Sequence, residues 1–296
     1  MEYSKSTPIK ITPISLDDVH RDNKVRFNTN NHWKDGMRPD DYDEVLERCN
    51  TENWVHDFHE VPESRILTIN EPDLQWMREA EKIGMITNEF TKLYQEELDE
   101  FCEITERERP DFIAELSKGN WFVRTNRVSL KNGVHGTGPY SDLKSIVQSM
   151  VTGVSGHTGI GNATGEVDIF LLPFLTNLSA EKEFRVFVKD KKITAISIQH
   201  LYSRNDWIEG MDDDSRTKLV RRILDFHEHT LCEILELSDY TYDLALLADD
   251  TFYFIEPNSF GTEYAAGSSL FGWIQDRDVL YDSSSIEFRY PVDRLN

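Results

Sequence analysis

Positive charge is scarce in this chain. Its 296 residues hold 32 Lys and Arg against 54 Asp and Glu, a net charge of -22, which disfavours nucleic acid as a partner. An anionic ligand would need a local basic pocket or a metal ion. Cysteine is scarce too: Cys49, Cys102 and Cys232 are far apart and match no zinc or redox spacing, so reduced and mostly buried thiols are expected. Long apolar runs are missing. The longest, IFLLPFL, is too short to span a bilayer, and MEYSKSTPIKITPIS lacks the apolar core of a signal peptide. A cytoplasmic protein with no membrane partner is the expectation.

What is present is organised. Residues 1 to about 70 are polar and irregular, with DDYDEVLERC as a short helix. From Glu71-Pro72-Asp73 the apolar spacing turns helical: Leu74, Met77 and Ile83 lie near one face, and a longer stretch after Asn88 carries Phe90, Leu93, Tyr94, Leu98, Phe101 and Ile104 before Pro110 breaks it. Beyond Gly119 the period becomes that of strands: NWFVRTNRVSL, VDIFLLPFL, EFRVFV, KITAISIQHLY, YDLALL and TFYFIEPN. Two hairpins are predicted, turning at Asp190-Lys191 and at Asp249-Asp250. Between them Asp212 to Asp214 cap a helix with Leu219, Val220, Ile223, Leu231 and Ile234 at helical spacing. Strand pairs separated by a helix make the class α+β. The division expected is an N-terminal region, 1–118, and a nucleotide-binding region, 119–296.

The second hairpin raises a chemical question. Pairing outward from an Asp249-Asp250 loop sets Asp243 opposite Glu256, and like charges directly opposite destabilise a sheet. Asn258 projects from the same face and adds a neutral oxygen. Two carboxylates and an amide suit Mg²⁺, which leaves positions for waters and substrate phosphates, so a nucleotide site is one expectation. Two others stay open: one carboxylate pairs with an Arg, or a three-residue loop shifts the register and separates the two. Arg124, Arg127 and Lys131 in FVRTNRVSLK, and Arg185 in EFRVFV, could meet phosphates, or be edge-strand or solvated cations.

Other motifs carry less. GVSGHTGIGNATG has five glycines but no G-x-G-x-x-G spacing and no GK[ST] ending; it reads as a mobile loop, a candidate cover over phosphates. HEHT at His227 to Thr230 fails the zinc-protease spacing, and His56 with His59 lacks a third ligand, so exposed histidines are expected. No G-x-S-x-G elbow or catalytic cysteine signature occurs.

Taken in order, four blocks resemble the cell division cycle protein one-two-three family, assembly factors for translation initiation factor two with an ATP-grasp fold. EFRVFVKDKKITAIS is similar to that family's E-[FL]-R-C-F-V-K hairpin, and WFVRTNRVSLKNG to its F-x-K-L-N-W-S-x-P-K-D-A segment. YDLALL with FYFIEPNSFG resembles its F-D-V-Y strand and D-F-N-P-F-G strand end; SSLFGW resembles L-L-F-x-W. The likeness runs from about Asn120 to Trp273. Arg124 stands where the family has Lys, and Glu256-Pro257-Asn258-Ser259 replaces Asp-Phe-Asn-Pro. These departures resemble the viral and bacterial ATP-grasp clade defined by two arginines and a lysine.

The resemblance implies an ATP-grasp fold, two α+β subdomains sandwiching nucleotide, with the N-terminal region packing on or completing it. It implies ATP and Mg²⁺ as cofactors, the metal held by Asp243, Glu256 and Asn258. Arg124, Lys131 and Arg185 would contact phosphates, Arg185 and Lys131 in catalytic roles, and Leu172, Pro173 and Phe174 would form the hinge strand against adenine. The leading expectation is a carboxylate-amine ligase working through an acylphosphate on an unidentified acid and amine, a protein or peptide among the candidates. The alternative is an ATP-binding assembly chaperone for a protein partner such as an initiation factor subunit.

Overall fold

The structure is a computed structural model that describes residues 7–30, 39–154, 158–161, 165–264, 266–282 and 284–293. Nine strands occur among them: β1 (Ile9–Ser15), β2 (Ile66–Asn70), β3 (Trp121–Thr125), β4 (Glu166–Pro173), β5 (Glu183–Lys189), β6 (Lys192–Ile198), β7 (Tyr240–Leu246), β8 (Phe252–Asn258) and β9 (Ile286–Val292). The helices that matter here are α1 (Glu71–Thr87), α2 (Gln95–Glu108), α3 (Pro110–Leu116), α4 (Leu143–Thr152) and α5 (Asp213–Phe226). The chain divides into two units, one of residues 1–49 and 177–296, the other of 50–176. The boundary expected near residue 118 falls just before β3, within the second unit.

In the 50–176 unit, β2 and β3 pair antiparallel on either side of β4. Its core joins Leu67, Ile69, Val123, Ile169 and Leu171 from the strands to Leu74 and Met77 of α1, Leu98 and Phe101 of α2, and Ile146 and Met150 of α4. Asn88 does not open the second helix. It adopts a left-handed conformation at φ 54° and closes α1, its N–H bonded to the Gly84 carbonyl, a capping role that asparagine tolerates well. Pro110 likewise starts α3, where a missing N–H costs nothing.

The other unit is built on a six-stranded sheet in the order β1-β9-β6-β5-β7-β8. The β5–β6 hairpin turns where expected, with Asp190 and Lys191 both at positive φ, the signature of a type I′ turn. β1 and β9 were not expected: the first lies in the stretch read as irregular, yet it pairs parallel with β9 along its whole length. One face buries Phe184, Val186, Tyr242, Leu244, Phe254 and Phe288. Across it runs α5, capped by Asp212, whose carboxylate accepts from the Ser215 N–H at 2.8 Å; the helix passes β1 and ends with Phe226 against Phe252 of β8. The opposite face is covered by residues 260–264 and 266–280, through Phe260, Phe271, Trp273 and Leu280 packed on Phe187 and Ala195. That covered face carries the polar residues of interest. No helix among the described residues is long and apolar enough to cross a membrane.

The histidine expectation needs correction. His227 is fully buried, in a π-turn over His227–Leu231, stacked on Tyr242 with ring centroids 5.7 Å apart. Its Nε2 lies 3.2 Å from the Lys191 carbonyl and 3.0 Å from the Cys232 sulfur. Burial pulls its pKa down to about 4, so the ring is neutral at pH 7. His56 is exposed. All three cysteines are free, Cys102 buried and the others partly so.

Candidate functional site

The hairpin loop is one residue longer than the two-aspartate turn expected, and a second irregularity compensates. Leu247 N–H bonds the Thr251 carbonyl, enclosing three residues, with Asp250 at φ 67°. Alone, this loop would put Asp243 opposite Ile255. A bulge in β8 skips Ile255, so the ladder passes from Leu244 facing Phe254 directly to Asp243 facing Glu256. A bulge inserts one unpaired residue and re-aims those beyond it. Asp243 and Glu256 therefore meet, and Thr241 faces Asn258 one step further.

The same register extends across the sheet. Thr12 faces Arg289, Arg289 faces Ser197, Ser197 faces Arg185, Arg185 faces Asp243, and Asp243 faces Glu256. Each of the six strands contributes one polar side chain to a single row. At its middle, Arg185 grips Asp243 with both prongs, Nε to Oδ1 at 2.9 Å and an Nη to Oδ2 at 2.7 Å, and donates to the Gly267 carbonyl at 2.6 Å. Gln199 Nε2 donates to Asp243 Oδ2 at 3.1 Å while its oxygen accepts from Ser269. Burial works against the Arg185 charge, but Asp243 and then Glu256 outweigh it and raise its pKa. Further along, Arg289 holds Asp276 bidentately at 2.8 and 2.9 Å, bonds Glu287 at 2.8 Å and lies over the Phe271 ring.

The open alternative of an Arg partner is thus realised, and it leaves coordination capacity. A carboxylate offers about four lone-pair positions. Arg185 and Gln199 occupy two on Oδ2 and one on Oδ1, so Asp243 retains a lone pair on Oδ1. Glu256 is half-buried and near enough to Cys49 that, after burial, its charge helps push that thiol up to about 12. Asn258 has a buried Nδ2 with no hydrogen-bond partner among the described residues. One free carboxylate lone pair, a second carboxylate and an amide oxygen fit Mg²⁺, and the orphaned amide nitrogen fits an added acceptor such as a water or phosphate oxygen. No group of three or more His, Cys, Asp or Glu gathers as a metal cage among the described residues.

The remaining expected residues lie in the 50–176 unit. Arg124 of β3 is buried, its guanidinium 5.2 Å from the Trp54 ring centroid and its Nε 3.4 Å from Thr51 Oγ1. Lys131 is exposed in a short 3₁₀ turn, Leu130–Asn132, and forms no ion pair with a described residue. Leu172 is buried at the end of β4 and Pro173 exposed, while Phe174 N–H bonds the Asn120 carbonyl at 3.0 Å. Of the glycine-rich segment, residues 155–157 and 162–164 lie outside those described. The part between faces Glu81, a carboxylate buried on α1 whose pKa burial raises against the opposing contacts of Thr158, Gly161 and Ile160.

Ser197, Gln199, Gly267 and Arg289 were missed by the sequence reading. Only Arg289 had a local signal: IEFRYPV alternates polar Glu287 and Arg289 with Phe288 and Tyr290, a half-polar strand pattern.

The comparisons with known proteins bear on the whole arrangement. No curated protein matches the chain. Among solved structures, C-terminally truncated Cdc123 from Schizosaccharomyces pombe superposes with a TM-score of 0.57 at 15% identity, covering 84% of this chain and 97% of that one. Cdc123 from the same organism gives 0.55, with the same identity and coverage. These likenesses show a shared mixed α+β fold. The D123 family model matches residues 145–294, downstream of Arg124 and Lys131 but including all of β5 to β9 and therefore Arg185, Asp243, Glu256 and Asn258. With the match extending over half of the sequence, the chain belongs to the D123 family.

Proposed function

We propose that the protein is an ATP-grasp, Mg-ATP-binding member of the D123 family that serves as an assembly chaperone for a protein partner, of the kind an initiation factor subunit represents. The observation that carries this reading is the bulge that sets Glu256 against Asp243 beside Asn258. Aligning two carboxylates inside a sheet is unfavourable unless positive charge answers them, and Arg185 answers Asp243 while leaving it a lone pair for a metal ion beside Glu256. Magnesium, when bound, would neutralise nucleotide phosphates and fix their orientation. Asp243 Oδ1, Glu256 and Asn258 Oδ1 would hold it. Arg185 holds Asp243 in place. By the family resemblance, Arg124 and Lys131 would meet phosphates, with Leu172, Pro173 and Phe174 along adenine.

Family membership supports the assembly role over the carboxylate-amine ligase. The distinguishing measurement offers Mg-ATP with and without candidate acids and amines. Binding without ADP release is expected; release that depends on both co-substrates would favour the ligase. For binding itself, a nucleotide at a hundred times its Kd stabilises the fold by about 2.7 kcal/mol. Glu256→Gln should abolish that gain in the presence of magnesium while leaving the unliganded melting temperature near wild type. A full nucleotide response in this variant would remove Glu256 from the site.

A further inference from the structure

Beside the carboxylate pair stand two polar atoms that no described residue satisfies. Thr241 of β7 and Asn258 of β8 are direct cross-strand partners, one register step from Asp243 and Glu256 and on the same face. Thr241 is fully buried, and both its Oγ1 and Asn258 Nδ2 lack a hydrogen-bond partner. Help cannot come from the β5 side. There the next residue in the row is Phe187, fully buried and packed edge-on against Phe271 and Trp273. Nor do the two atoms bond each other, although facing side chains in an antiparallel pair stand only about 5 Å apart at Cβ.

Buried polar groups in folded proteins are almost always satisfied, by protein or by ordered water. Two orphans at one register position, beside two carboxylates, form a polar niche with the two to four partners that a buried water requires. A water there would accept from Asn258 Nδ2 and from the Thr241 hydroxyl, and its own two hydrogens would point to carboxylate oxygens. In the cation-free protein the remaining lone pair of Asp243 Oδ1 can receive one of them; a cation bound at that lone pair would take its place.

We propose that Thr241 and Asn258 hold an ordered water against the Asp243–Glu256 pair, and that Thr241 is thereby a positioning residue for the cation site. Once its nitrogen is tied to Thr241 through the water, the Asn258 carboxamide can turn only its oxygen toward a cation. Partners of this kind orient metal ligands, and their loss weakens metal affinity by about 10- to 100-fold. The second half of the inference rests on the proposed magnesium site; the first half does not.

The test separates the two. Thr241→Val preserves shape and removes only the hydroxyl. If the hydroxyl anchors a water, the ligand-free variant melts below wild type; if the hydroxyl is merely buried and unsatisfied, the variant melts at or above wild type, and the proposal is overturned. In Mg-ATP titrations the same variant should need about tenfold more magnesium for half-maximal nucleotide binding, whereas Thr241→Ser, which keeps the hydroxyl, should retain the wild-type magnesium dependence. An unchanged magnesium requirement in Thr241→Val overturns the positioning role. Should wild-type protein bind no Mg-ATP, the functional reading fails, while the ligand-free melting comparison still decides the water.

Discussion

Arg185 shows how a residue can be read correctly for presence and incompletely for purpose. An arginine inside EFRVFV marks a strand with one polar position, which is visible locally; that its guanidinium spans to Asp243 and the Gly267 carbonyl depends on contacts 58 and 82 residues away, which no local pattern encodes. The pairing also changes what mutation of Asp243 would mean. Removing the partner of a buried guanidinium costs about 3–5 kcal/mol, so Asp243→Ala disturbs the fold as well as the site, and Glu256 is the cleaner probe. At the same scale, His227 makes a prediction about acid. Its imidazole, ordinarily protonated near pH 6.5, gains a proton only near 4 in the folded state because it is buried. Between those values the unfolded chain binds more protons, so stability is full above pH 6.5 and falls as the pH drops toward 4, by about 3 kcal/mol in all. Denaturant melts across that range should show the fall, and His227→Gln should flatten it; an equal fall in the variant would assign the loss to other groups.

At the scale of elements, turn chemistry was legible and distant pairing was not. Asp190-Lys191 announced the first hairpin because both residues sit at a two-residue turn between clear strands. The second hairpin gave the right facing of Asp243 and Glu256 by two departures that cancel, a three-residue loop and the skipped Ile255; sequence reasoning had named the loop as the way to lose the pair and had no signal for the bulge. β1 escaped notice because IKITPIS makes sense only beside Ile286–Val292, almost the whole chain away. Helix packing supplies a firm prediction. A Cβ on Gly84 of α1 would overlap the Val151 carbonyl oxygen of α4, and backbone cannot yield as a side-chain tip does. Gly84→Ala gains helix propensity of about 1 kcal/mol but must push the two helices apart, a strain of about 1–3 kcal/mol or more. Urea denaturation should find the variant less stable than wild type; a more stable variant would mean the helices have room to separate.

For the molecule as a whole, charge is the property most plainly written in the sequence. A net charge of -22 implies self-repulsion in the folded chain, screened within about 10 Å at 0.1 M salt. Raising sodium chloride from about 0.02 M to about 0.5 M, where that screening length shortens several-fold, should therefore raise the melting temperature. A decrease would show that exposed ion pairs such as Arg78 with Glu71 outweigh the repulsion. The two units were not legible as such: their boundaries at 49–50 and 176–177 are set by which strands pair, and the first and last segments of the chain join one sheet.

The polar row has a consequence for how that sheet assembles. Its side chains alternate faces, so any strand paired one residue out of step would turn its polar member toward the apolar side. For β5 or β9 that means a guanidinium lodged among Phe184, Tyr242 and Phe288 with no carboxylate in reach, an error far too costly to persist. Six strands, two of them from opposite ends of the chain, thus share a proofreading mark: a misregistered pairing is penalised by the charge it would bury.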